Sequence, residues 1–126
     1  MSWQPAAETL IGRLTGPAAT VVDLADCLRL TSAVLAALTR KASGADGLLL
    51  DAAVWDVDAA RAHLADQPGA PWAGPPAPLD PVAAPDALAL CRRLLSAAGT
   101  AMDDNEDVAA RQAVSSADRY LAQLAG

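Results

Sequence analysis

The chain has 126 residues, a formal net charge of −6 and an apolar content of 53%, which suit one domain with a modest core. Its acidic residues are spread along the chain and its lysines and arginines form no cluster, which argues against nucleic-acid binding. No apolar run approaches the roughly 20 residues that span a bilayer, and the N-terminus lacks secretory features, so we expect a cytoplasmic protein that does not bind membranes.

Helical periodicity dominates the chain, and no segment alternates with the period of two that a strand requires. The predicted helices are 5–15, 17–43, 47–66, 85–98 and 101–124. Gly44 can provide a left-handed cap after the second helix, and Asp46 can cap the third. Gly99 is expected to end the fourth helix.

The short connections near 44–46 and 99–100 predict two antiparallel helical hairpins. Residues 67–84 are rich in proline and are interpreted as a linker that joins them. We therefore expect an all-α fold, a four-helix bundle with the short N-terminal helix lying across it.

Enzyme and metal sites find little support in the residue pattern. His63 is the only histidine and lacks the ExxH spacing of a helical metal site. The acids in 103–107 (DDNED) suit the start of a helix, where the dipole favours negative charge. Cys27 and Cys91 fall on or beside apolar stripes and are interpreted as core residues. We predict no catalytic, cofactor or metal residues, and an alternative is a small-ligand or metal-binding bundle that uses His63, Cys91 or 103–107.

A second apolar stripe on the third helix is the best candidate for function. Trp55 stands among Ala52, Ala59 and Ala62, with Leu48 in line, and the small alanines would let another helix approach closely. One interpretation buries this stripe inside the same bundle; the other exposes it as a groove or dimer face with Trp55 as the anchor. The second makes the chain a non-catalytic interaction module with a protein partner or a second copy.

The proline-rich segment adds Trp72 to the candidate interface. Its PxxP spacings would suit a polyproline ligand, but no basic residue flanks it. We interpret the segment as a semi-rigid strut that lies over the bundle, with Trp72 and Leu79 against helix surface.

The triplet Trp72-Ala73-Gly74 lies between helical segments of a small acidic chain. In this it resembles the Trp-x-Gly turn of the WXG100 family of secreted helical-hairpin proteins. The resemblance implies an exported partner protein as a further alternative. That family has an acid four residues after a C-terminal tyrosine, whereas Tyr120 is followed at that spacing by Leu124.

Overall fold

The structure, a computed structural model, describes residues 3–16, 20–42, 44–65, 84–102 and 108–125. Every regular element in these ranges is an α-helix, which confirms the all-α prediction. The helices are α1 (Gln4–Leu14), α2 (Val21–Thr39), α3 (Gly44–Ala65), α4 (Ala84–Ala101) and α5 (Val108–Ala125). Within these ranges no helix is long and apolar enough to cross a membrane. Trp72, Leu79 and the rest of 66–83 lie outside the described residues.

The start of α2 is set by a capping box that the sequence interpretation missed. The Thr20 hydroxyl accepts a hydrogen bond from the Asp23 backbone N–H at 3.3 Å, and the Thr20 N–H donates to the Asp23 carboxylate at 3.1 Å. These two bonds satisfy backbone groups that would otherwise lack partners at the helix start. The helix therefore begins at Val21 rather than at residue 17.

The connection between α2 and α3 turns at Gly44. This glycine has φ +64°, the left-handed value that a residue with a Cβ adopts only at a cost. It confirms the left-handed glycine expected there. Helix α3 already begins at Gly44, so Asp46 lies in its first turn and is not the residue before it.

Helix α4 corrects the expectation that Gly99 ends the fourth helix. It continues through Gly99 to Ala101, and the backbone N–H of Met102 still donates to the carbonyl of Ala98 at 3.0 Å. Met102 is fully buried, so packing favours the additional turn over a glycine stop. Helix α5 then begins at Val108 instead of residue 101.

Four of the helices form a closed circuit of contacts. Helix α2 packs against α3 and α4, and α5 packs against the same two helices. Helix α1 lies against α2 and α4, where it buries Trp3, Ala7, Leu10 and Leu14. The core that all five helices enclose is mainly leucine, alanine and valine.

The α2/α3 and α4/α5 pairs correspond to each other when the residue numbers are shifted by 60. With this shift, Ser32 corresponds to Arg92 and Asp58 corresponds to Asp118. Within each pair, these two side chains form a hydrogen bond between the helices. Helices α3 and α5 end at the corresponding Ala65 and Ala125. The alignment of the two pairs at this offset needs no gap. The second pair has the same amino acid as the first at the positions of Asp26, Leu28, Leu30, Leu35, Ala37, Ala53, Val54, Asp58, Ala62, Leu64 and Ala65.

This internal repeat extends to packing. Val34 and Leu35 correspond to Leu94 and Leu95, and all four side chains are buried. Exchanging the two helix pairs also leaves the circuit of contacts unchanged. Helix α1 precedes the repeat and has no counterpart among the described residues.

Candidate functional site

The candidate site is the solvent-facing side of α3, which we call the outer stripe: Leu48, Ala52, Trp55, Ala59 and Ala62. The core side of the same helix carries Leu50, Ala53, Val57 and Ala60, all buried. Leu48 is 74% exposed and Trp55 is 78% exposed. Ala62 is exposed, whereas Ala52 and Ala59 are half-buried. The interpretation that buried this stripe inside the bundle is therefore wrong.

Helical geometry explains why the stripe faces water. At about 3.6 residues per turn, Leu48, Trp55 and Ala62 are seven residues apart and fall on one line. That line lies opposite the buried line through Leu50 and Val57. Helix α3 is therefore apolar on two opposite faces, although only one of them packs against the other described helices.

The internal repeat shows that the fold does not require an apolar residue at the middle three of these positions. The outer stripe corresponds on α5 to Val108, Gln112, Ser115, Arg119 and Ala122. There Trp55 is replaced by a serine and Ala59 by an arginine, on a helix with equivalent contacts to its neighbours. The large apolar surface at Trp55 is thus a feature of the first helix pair alone.

Carboxylates line both sides of the outer stripe. Asp51 and Asp58 lie on the side facing α2, where Asp58 accepts hydrogen bonds from Ser32 at 2.7 Å and from Arg61 at 3.2 Å. Asp56 lies half-buried on the opposite side, and its Oδ2 accepts no hydrogen bond from the described residues. We call these three aspartates the acidic flanks.

The cysteines are core residues, as the sequence predicted. Both side chains are fully buried, and the Cys27 thiol donates to the carbonyl of Leu94 at 3.4 Å. Burial raises the pKa of Cys27 to about 12. Burial, together with the nearby Cys27, raises the pKa of Cys91 to about 12 as well. Because the thiolate is the reactive form, neither side chain is suited to nucleophilic chemistry near neutral pH.

His63 and Cys91, two of the candidates for metal binding, do not come together. His63 is exposed near the end of α3, away from the buried Cys91. Across the described ranges, no three histidine, cysteine, aspartate or glutamate side chains are grouped as a metal site would require. The acidic run 103–107 lies outside those ranges, so its interpretation is unchanged.

A cavity between α4 and α5 was not anticipated from the sequence. Its volume is about 410 Å³ and it opens to solvent. Three hydroxyl groups and two charged side chains contribute to its lining, from Ser96, Thr100, Arg111, Ser115 and Asp118. Asp118 also accepts a hydrogen bond from Arg92 at 3.2 Å. Since Ser115 corresponds to Trp55, the repeat could have drawn attention to this position.

Comparison with known proteins returns no match: no protein-family model, curated protein or solved structure is similar to this chain at a significant level. The resemblance of Trp72-Ala73-Gly74 to the WXG100 turn therefore gains no support from a family match.

Proposed function

We propose that the chain is a non-catalytic, cytoplasmic interaction module that binds a protein partner or a second copy through the outer stripe of α3. The observation that carries this proposal is the exposure of Trp55 on a line of apolar residues. Tryptophan is enriched among the residues that dominate binding energy at interfaces. A tryptophan that is 78% exposed contributes little to the core of its own chain.

The form of the stripe supports the same role. The alanines at 52, 59 and 62 have small side chains and leave little bulk around Trp55. The axis of a facing helix can therefore approach the axis of α3 to about 8 Å. The corresponding positions of α5 carry Gln112, Ser115 and Arg119, which are polar and exposed. The two helices share a packing role, so the difference between their outer faces points to a role beyond folding.

The test is to place the same charge at corresponding positions of the two helix pairs. Trp55→Glu is expected to weaken association about tenfold or more, because hot-spot residues contribute about 2 kcal/mol or more. Ser115→Glu is the matched control and should leave association unchanged. Self-association would be measured by sedimentation, and partner binding by recovery of a stoichiometric complex from the native cell.

Stability measurements on both variants separate binding from folding. Both free energies of unfolding should stay within about 0.5 kcal/mol of the unaltered chain, as is usual for exposed sites. If Trp55→Glu changes neither self-association nor complex recovery, the outer stripe is not the interface.

For the architecture, we infer the four-helix bundle of two antiparallel hairpins joined by residues 67–84. The closed circuit of contacts among α2, α3, α5 and α4 supports this arrangement. So does the short connection of 40–43 between α2 and α3, which favours antiparallel neighbours.

The cavity between α4 and α5 supports a second candidate function, the binding of a small ligand. Its volume of about 410 Å³ falls within the range of about 300 to 1,000 Å³ that is typical of ligand pockets. The lining includes Arg111 and three hydroxyls, which suit a small polar molecule. A ligand that binds only the folded state must raise the melting temperature. Thermal melting with a panel of small polar metabolites, repeated on Ser115→Trp to fill the cavity, would test this.

A further inference from the structure

The residues of the outer stripe are spaced like one side of a coiled-coil seam. Successive members are separated by four, three, four and three residues, from Leu48 through Trp55 to Ala62. This is the repeat by which one helix packs along another. The stripe is about 21 Å long at 1.5 Å per residue, so it matches a partner helix of about four turns.

In such a seam, the residues beside the stripe decide which helix can pack there, because they face the corresponding residues of the partner. On α3 those positions are Asp51 and Asp58 on one side and Leu49, Asp56 and His63 on the other. Arg61 neutralises part of this charge through its contact with Asp58. Asp51 is exposed to solvent.

A second copy of the chain is a poor match for this surface. In a parallel pair, Asp51 of one copy would face Asp56 of the other. In an antiparallel pair, the flank with Asp51 and Asp58 would face itself. Either orientation places carboxylate against carboxylate, and the net charge of −6 on each chain adds to the repulsion.

From this charge pattern we infer that the outer stripe binds an amphipathic helix of a different protein, with lysine or arginine on both sides of its apolar stripe. The inference rests on the proposed function and specifies its partner. Basic residues of that helix pair with the acidic flanks, and a small residue opposite Trp55 receives the indole ring. The long-range attraction between an acidic chain and a basic helix also accelerates their encounter. On α5, Arg119 interrupts the corresponding line, so the same helix is not bound there.

The experiment is site-specific photo-crosslinking of the full chain in its native cell. A photoreactive phenylalanine replaces Ala62, at the end of the outer stripe. The matched control carries it at Ala122, which is the same residue at the corresponding position of α5. The cross-linked peptide is then sequenced by mass spectrometry.

The expected result is a cross-link from position 62, and not from 122, to a helix-forming peptide of another protein with basic residues on both sides of an apolar stripe. Asp51→Lys should lower the yield about two- to fivefold, in line with an exposed charge pair, and Asp51→Asn should lower it less. Trp55→Ser should abolish it. Asp51 is exposed to solvent, so substitutions there should leave the fold intact.

Each other outcome has a definite meaning. A cross-link to α3 of a second copy would overturn the inference about the partner but leave the proposed interaction surface standing. An acidic peptide, a lipid or a nucleic acid would overturn the inference in the same way. No cross-link above the level of position 122, or a link only within the chain itself, would overturn both.

Discussion

The two helix pairs of this chain share a framework and differ on their outer faces. The buried Leu35 and Leu95 occupy corresponding positions, and so do the polar contacts Ser32–Asp58 and Arg92–Asp118. On the outside, Trp55 of the first pair corresponds to Ser115 of the second. Leu35 and Leu95 are apolar and buried in both pairs, whereas Trp55 and Ser115, which neither pair buries, differ in chemical character. That contrast separates the residues that the fold needs from an outer position that the fold leaves free to vary.

The largest expected effect on stability comes from corresponding residues in the core. Leu35→Ala and Leu95→Ala should each lower the free energy of unfolding by about 2 to 5 kcal/mol, because both remove a buried side chain and leave a cavity. Urea denaturation measures both. If one variant loses less than about 1 kcal/mol while the other loses the full amount, the two pairs do not contribute equivalent packing.

A test of the contact between the pairs uses pH, since Cys27 of α2 donates to Leu94 of α4. The pKa of each thiol rises from 9.0 in the ordinary case to about 12 in the folded chain. The folded state therefore keeps the proton while the unfolded chain loses it. The stabilisation of the folded state by the two protonated thiols is complete below pH 9. It is lost as the pH rises toward 12, by about 1.4 kcal/mol per pH unit for each thiol.

The measurement is the free energy of unfolding between pH 8.5 and about 11, for the unaltered chain and for a Cys27→Ala/Cys91→Ala double variant. All other titrating groups are common to both proteins and cancel in the difference. The unaltered chain should show the steeper decline. An equal decline in the free energy of unfolding for both proteins would mean that each thiol has the same pKa in the folded and unfolded states.

The smallest expected effects on stability come from the two polar contacts, Ser32–Asp58 and Arg92–Asp118. The Ser32 hydroxyl donates to Asp58 at 2.7 Å, and Ser32 is buried, so Ser32→Ala should cost about 1 to 2 kcal/mol. Arg92 is 41% exposed where it meets Asp118, so Arg92→Ala should cost less than about 1 kcal/mol. Urea denaturation in low and high salt would compare them, and only the Arg92 effect should shrink in salt. A reversed order would show that the second contact is the stronger one.

Sequence reasoning recovered the helices because leucine periodicity is a strong signal, and it recovered the turn at Gly44. The sequence places the start of α2 too early because Gly16-Pro17 signals a break there, whereas the capping residues Thr20 and Asp23 set the start. It ended α4 at Gly99 because glycine stops helices on average, whereas burial of Met102 favours another turn here.

The candidate site was only half predictable. The stripe around Trp55 is visible in the sequence, but alanines at helical spacing suit a buried contact and an exposed one equally well. Which face of α3 turns inward depends on packing with α2 and α5, and that information is not local. The comparison of Trp55 with Ser115 was available from the sequence alone, since the offset of the repeat contains no gap.

Helix α1 has a consequence for how the chain is made. Its Arg13 contacts Asp23 of α2, but Glu8 forms a bidentate ion pair with Arg93 of α4, which lies 85 residues further along the chain. During synthesis α1 leaves the ribosome first, yet its binding surface is complete only after α4 has followed. Until then, the apolar side that carries Trp3 and Leu10 lacks half of its cover. Transiently exposed apolar surface promotes aggregation, so α1 carries that risk while only α2 and α3 have followed it.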